Sequence, residues 1–109
     1  MRVCIVGAGG IGASIGARLA ASGHEVSLLA RGAHLAALQA GGLRFVDHVD
    51  RHSGTYRLRA SADPGELGAQ DLVVIALKAY AIADMLPRLA PLLAADTVVV
   101  PAINGLPWW

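Results

Sequence analysis

The stretch Val3–Gly16, VCIVGAGGIGASIG, constrains this chain more than any other. Val3, Cys4, Ile5 and Val6 form a short apolar run closed by glycine, the pattern of a strand buried on both faces of a parallel sheet. Gly7, Gly9 and Gly12 follow at G-x-G-x-x-G spacing. Ile11, Ile15 and Leu19 then recur every four residues, the apolar stripe of a helix. Strand, glycine turn and helix in that order are the context in which this spacing signals dinucleotide binding.

Each glycine has a physical task. At Gly7 the chain leaves the strand in a tight turn, at Gly9 the missing Cβ admits a pyrophosphate to the backbone, and Gly12 lets the helix lie close on the sheet. Gly16, one turn later, is expected to extend that close contact. Free amides at the helix start, backed by the helix dipole, suit an anionic diphosphate. Gly7, Ala8, Gly9, Gly10, Ile11 and Gly12 are therefore the predicted cofactor-binding turn.

The helix is expected over about Gly10 to Ser22, capped by Gly23, with His24 as a solvated turn residue. Val26, Leu28 and Leu29 predict a second strand, parallel to the first through a right-handed crossover. The end of this strand decides the cofactor. An NAD site places an acid there for the ribose 2′-hydroxyl, but the sequence reads Ala30, Arg31, Gly32. Glu25 opens the strand instead, and at ~3.3 Å per residue it falls roughly 17–20 Å from the ribose. The planar guanidinium of Arg31 suits a phosphate, which favours the 2′-phosphate of NADP.

Further on, His34, Leu35 and Leu38 predict a short helix stopped by Gly41 and Gly42. Leu43, Phe45 and Val46 with Tyr56 and Leu58 predict an antiparallel hairpin around a polar tip from Asp47 to Gly54. His48 and His52 in that tip lack a helical stripe and read as a solvated loop, so no metal site is assigned. Asp63 and Pro64 start one helical turn through Leu67, with Asp63 as its cap.

Leu72 to Leu77 is a continuous apolar run, expected as a central parallel strand. Lys78 follows at the carboxyl edge, where open α/β sheets bind ligands, and is a predicted cofactor contact. Tyr80 to Ala95 is helical in composition but carries Pro87 and Pro91, which predict a helix beginning near Asp84 or bending at Pro91. Met85, Leu86, Leu89, Leu92 and Leu93 are its expected sheet-facing side. Thr97 to Val100 predict another strand, cut short by Pro101, and Asn104-Gly105 a turn at the carboxyl edge. The fold class is thus a doubly wound, Rossmann-type α/β sheet with a small antiparallel hairpin insertion.

At 109 residues the chain is read as one dinucleotide-binding domain, residues 1–109. A net charge of +1 gives no basic field, which argues against nucleic acid as a partner. No apolar run reaches the length of a membrane span. One cysteine, Cys4, permits no intrachain disulfide and favours a cytoplasmic setting; inside the first strand it reads as a small buried hydrophobe. The Trp108-Trp109 ending predicts a polypeptide cut short.

GAGGIGASIGARLAASGHEV, LLARG, DLVVIALKA and PAINGLPWW together resemble the N-terminal domain of the ketopantoate reductases (2-dehydropantoate 2-reductases) over essentially the whole chain. The resemblance implies NADPH-dependent reduction of a 2-keto acid to pantoate, on the route to pantothenate and coenzyme A. It implies that Gly7, Gly9 and Gly12 hold the pyrophosphate. Arg31 and Lys78 would then surround the adenosine 2′-phosphate, and Asn104 would lie near nicotinamide and substrate. Ile103 departs from the glutamine that many homologues carry at that position. The general-acid lysine and the substrate-holding acid of the family belong to a helical C-terminal domain absent from these residues, so no catalytic residue is assigned here. The alternatives are a stand-alone NADP-binding sensor module, or the cofactor domain of a hydroxyacid or glycerol-phosphate dehydrogenase, which the NG and PWW ending disfavours.

Overall fold

The computed structural model describes residues 1–7, 10–47, 52–56, 58–77 and 79–102. Along the chain run β1 (Arg2–Val6), α1 (Gly10–Ala21), β2 (Glu25–Leu29), α2 (Gly32–Gly41), β3 (Leu43–Asp47), β4 (His52–Tyr56) and β5 (Arg59–Ser61). Then follow α3 (Pro64–Leu67), β6 (Leu72–Ile75), α4 (Ala79–Met85), a 3-10 segment (Leu86–Leu92) and β7 (Val98–Pro101). The main sheet has the order β5-β2-β1-β6-β7, parallel throughout. The chain therefore builds outward from β1 on one side through β2 and β5, then returns across the sheet to build β6 and β7 on the other. That reversal is the topological switch point, beside the carboxyl end of β1.

Strand alternation divides the core into two. Val3 and Ile5 of β1, Val26 and Leu28 of β2 and Val74 of β6 share one face with Ala17 of α1 and Leu38 of α2. Cys4, Val6, Leu29, Val73 and Ile75 share the other with Leu67 of α3 and with Leu89 and Leu92 of the 3-10 segment. Helical elements cover both faces, which is why Val3–Val6 of β1 and Leu72–Ile75 of β6 are apolar without a break. The sheet is doubly wound, as the sequence predicts.

At the amino edge, the Arg2 backbone N–H donates to Asp71 Oδ2 at 2.8 Å and its guanidinium donates to the Leu67 carbonyl at 3.1 Å. Arg2 also faces Glu25 at 3.6 Å in an exposed ion pair. Glu25 thus sits at the edge opposite the glycine turn. Behind this edge the buried Gln70 ties the second face together. Its amide Nε2 donates to the carbonyls of Leu67 and Gly68, its backbone N–H donates to Leu92, and its own carbonyl accepts from Thr97 Oγ1.

Several elements match expectation closely. Helix α1 ends at Ala21 and Gly23 follows at φ 91°; α2 is stopped before Gly42 at φ 78°. Asp63 Oδ1 accepts from the Gly65 N–H at 2.9 Å, capping α3.

Others differ. Strands β3 and β4 pair antiparallel from Leu43↔Tyr56 to Asp47↔His52, so Asp47 and residues 52–54 belong to the ladder and not to the loop. Leu58 lies outside the hairpin and packs on the first core cluster. The next residues, Arg59–Ser61, form the unforeseen edge strand β5, paired with the end of β2. Strand β6 stops at Ile75, two residues before the apolar run ends. Helix α4 begins at Ala79, not near Asp84. Pro87 has no N–H for the Ala83 carbonyl, so the α-helix closes at Met85 and continues as a 3-10 segment containing Pro87 and Pro91. Leu86 at the start of this segment and Leu93 just beyond its end are 52% and 44% exposed, not sheet-facing. Strand β7 includes Pro101, paired with Ile75 at the edge, where a missing N–H is tolerated. His24 is half-buried after the α1 cap, not fully solvated.

Candidate cofactor-binding site

The site is built on the carboxyl edge of β1. Past the strand end, the Gly7 N–H donates to the Leu29 carbonyl at 3.0 Å and the Ala76 N–H to the Val6 carbonyl at 2.8 Å. These two bonds continue the ladder on either side of β1, so the turn at Gly7 and the turn at Ala76-Leu77 leave the sheet side by side. Gly7 has φ 94°. A Cβ there would stand 2.8 Å from Leu77 Cδ2 and 2.9 Å from the Ala76 carbonyl oxygen. Both the backbone angle and the crowding require glycine.

Helix α1 starts three residues later and lies directly on this turn. A Cβ at Gly12 would overlap the Gly7 carbonyl oxygen and come within 3.1 Å of Ala76 Cβ and Ile5 Cγ2. One turn on, a Cβ at Gly16 would meet Ile5 and Leu28 at 3.5 Å, an ordinary contact. Close approach is therefore set at Gly12 and has relaxed by Gly16, contrary to the expectation for the latter. The first turn of α1 holds no acidic side chain, so no carboxylate competes with an anion at the positive end of the helix.

Beside the turn opens a cleft of about 380 Å³, within the range of small-molecule sites. Gly7 and Leu77 line it together with Arg31 from the start of α2 and with Asp84, Met85 and Arg88 from the α4 side. Arg31 has extended backbone angles (φ −150°, ψ 168°) at the N-cap position of α2, yet its side chain caps nothing. It is exposed, and neither its side chain nor that of Arg88 makes a hydrogen bond or ion pair among the described residues. Among the described residues the cleft thus sets two guanidinium groups without a side-chain partner against the carboxylate of Asp84.

Of the residues assigned from sequence, Gly7 and Arg31 line this cleft, and Gly12 packs against the Gly7 turn. Gly10 and Ile11 open α1 at the same edge. Ala8, Gly9, Lys78 and Asn104 lie outside the described residues, as do His48 and Asp50 of the hairpin tip. Asp84, Met85 and Arg88 were not foreseen. Their i, i+1, i+4 spacing marks one side of a helix, and starting that helix at Ala79 would have found them. Cys4 faces the second core cluster, where burial pushes its thiol up to about 12, so it is no nucleophile near neutral pH.

A parallel sheet with a glycine turn at its switch point and a ligand-sized cleft on its carboxyl edge defines a Rossmann-type α/β domain. A family model described as ketopantoate reductase PanE/ApbA matches residues 3–107, and the chain belongs to that family. It is 48% identical over its whole length to a 2-dehydropantoate 2-reductase of Mesorhizobium japonicum, of which it covers 33%. A crystal structure of a PanE/ApbA family ketopantoate reductase from Ralstonia eutropha superposes with a TM-score of 0.87 at 35% identity, over 96% of this chain and 35% of that one. D-mandelate dehydrogenase, solved with NADH and anilino(oxo)acetate, superposes with a TM-score of 0.83 at 28% identity, over 97% and 34% of the two chains. The chain spans about a third of the length of the curated relatives it matches.

Proposed function

We propose that this chain is the NADP(H)-binding part of a 2-dehydropantoate 2-reductase-like oxidoreductase, which reduces a small 2-keto acid in the cytoplasm. The observation that carries the NADP reading is the uncommitted Arg31 guanidinium in the same cleft as Gly7, with the acid of β2, Glu25, at the opposite edge. An NAD site needs an acceptor where Arg31 stands, whereas a 2′-phosphate needs the forked donor that is there. The residues present fit the cofactor. The absent Cβ at Gly7 and at Gly12 lets the turn and the first turn of α1 pack directly against Ala76 and each other, which brings the helix start to the carboxyl edge, and that start carries no competing acid.

The bound cofactor would supply the hydride, and these residues hold and orient it. Gly7, Ala8, Gly9, Gly10, Ile11 and Gly12 would hold the pyrophosphate, and Arg31 with Lys78 would take the 2′-phosphate. By the family resemblance, Asn104 would serve nicotinamide and keto acid. A ketone oxygen gaining hydride also needs a proton from a positioned acid, and none of these residues is assigned that role. The purified chain should therefore bind NADP+ without reducing 2-dehydropantoate in the presence of NADPH. Turnover above the uncatalysed rate would place the general acid within these residues.

A second reading, an NAD-linked hydroxyacid dehydrogenase domain, is favoured by the likeness to the NADH-bound mandelate enzyme. Arg31 decides between them. Losing a charge-assisted hydrogen bond costs about 1.5–3 kcal/mol, so Arg31→Ala should weaken NADP+ by about 10-fold to 150-fold and leave NAD+ nearly unchanged. Arg31→Asp should turn preference towards NAD+. Equal losses for both nucleotides in calorimetric titrations at fixed salt would overturn the NADP assignment.

A further inference from the structure

The 3-10 segment exists because Pro87 ends α4, and it carries a consequence for the cleft. Arg88 follows Pro87 directly and lines the same cleft as Arg31. The two arginines arrive from opposite faces of the sheet: α2 packs on the first core cluster through Leu38, and the 3-10 segment on the second through Leu89 and Leu92. Asp84 lies one turn before Arg88 in the same wall, but no ion pair forms between them. Leu77 and Met85 give the same cleft its apolar lining.

We infer that Arg88 is a second phosphate-recognition residue, meeting the adenosine 2′-phosphate from the side opposite Arg31. The inference rests on the NADP reading above and adds a residue to it. A dianionic phosphomonoester offers three oxygens, enough for one guanidinium fork on each side. Asp84 opposes the dianion and sets the net charge of these three side chains at +1 rather than +2, so removing its charge should tighten binding.

The test uses the full chain and four probes: NADP+, NAD+, 2′,5′-ADP and 5′-AMP, titrated calorimetrically at fixed salt. Because Arg88 is exposed, its contact is partly screened. Arg88→Ala should weaken NADP+ and 2′,5′-ADP by about 5-fold to 20-fold and leave NAD+ and 5′-AMP within about 2-fold. Arg88→Gln should behave alike and covers the case in which the alanine variant folds poorly. Asp84→Asn should strengthen 2′,5′-ADP by about 2-fold to 5-fold without affecting 5′-AMP. An Arg88→Ala chain that keeps full NADP+ affinity while Arg31→Ala loses it overturns the inference and leaves the NADP reading standing. Equal losses for 2′,5′-ADP and 5′-AMP also overturn it, since Arg88 would then serve the adenine or the fold. If neither arginine changes the ratio of NADP+ to NAD+ affinity, the NADP reading itself falls.

Discussion

Alanine at Gly12 and alanine at Gly16 should have opposite effects, although both glycines are buried in α1. At Gly12 the added Cβ overlaps the Gly7 carbonyl oxygen and crowds Ala76 and Ile5 at 3.1 Å. The obstructing atom belongs to the backbone of the glycine turn and cannot rotate away, so the helix start must lift off the sheet. Overpacking of this kind costs about 1–3 kcal/mol, and a clash with backbone belongs at the upper end. Against it stands a helix-propensity gain of at most about 1 kcal/mol, smaller in the first turn. The net loss is about 2 kcal/mol, or a fall in Tm of about 8 °C for a domain of this size. At Gly16 the same Cβ meets Ile5 and Leu28 at 3.5 Å. There the propensity gain dominates, and stability should rise by about 0.5–1 kcal/mol. Thermal and urea unfolding followed by circular dichroism measures both. Shifts of the same sign would refute the packing argument.

Three further outcomes are expected. Gln70→Leu removes the amide donor shared by the Leu67 and Gly68 carbonyls, leaving Leu67 only its bond from Arg2, and should cost about 1–3 kcal/mol in urea unfolding; Gln70→Glu, which turns a carboxylate towards both carbonyls, should cost more. Cys4 should resist alkylation near neutral pH until the chain unfolds. Its thiol stays protonated in the folded chain up to about 12, while the unfolded chain titrates from 9.0, so the unfolded state binds fewer protons between those values. Its contribution should lower stability as pH rises through that window, by up to about 1.4 kcal/mol per pH unit. On β7, Val98, Val99 and Val100 are 57%, 44% and 41% exposed along a sheet edge. Val99→Lys should reduce concentration-dependent light scattering, and unchanged scattering would place self-association elsewhere.

The sequence made some elements legible because their signals are local. The apolar runs at Val3–Val6 and Leu72–Ile75 are buried on both faces, and a continuous run expresses that burial directly. The glycine spacing, the Asp63 cap and the Gly42 stop each fix one backbone feature within a few residues. Strand β5 was invisible because Arg59, Ala60 and Ser61 show neither alternation nor β-branching; β2 selects them as a partner through space. The α4 boundary was misplaced because two prolines suggested a late start. The chain instead uses Pro87 as a stop and winds on with three residues per turn. That same choice brings Arg88 into the cleft, and composition alone does not reveal it. The position of Arg31 at this edge was legible because it follows the end of β2, whose Leu29 carbonyl accepts from the Gly7 N–H.

On the proposed reading, the charge of this cleft selects a phosphorylated ribose. Calorimetric titration of the full chain with NADP+ and with NAD+, at one salt concentration, measures that most directly. Two nucleotides that differ by a single phosphate should differ in affinity by about 10-fold or more in favour of NADP+. Equal affinities, or a preference for NAD+, would contradict it.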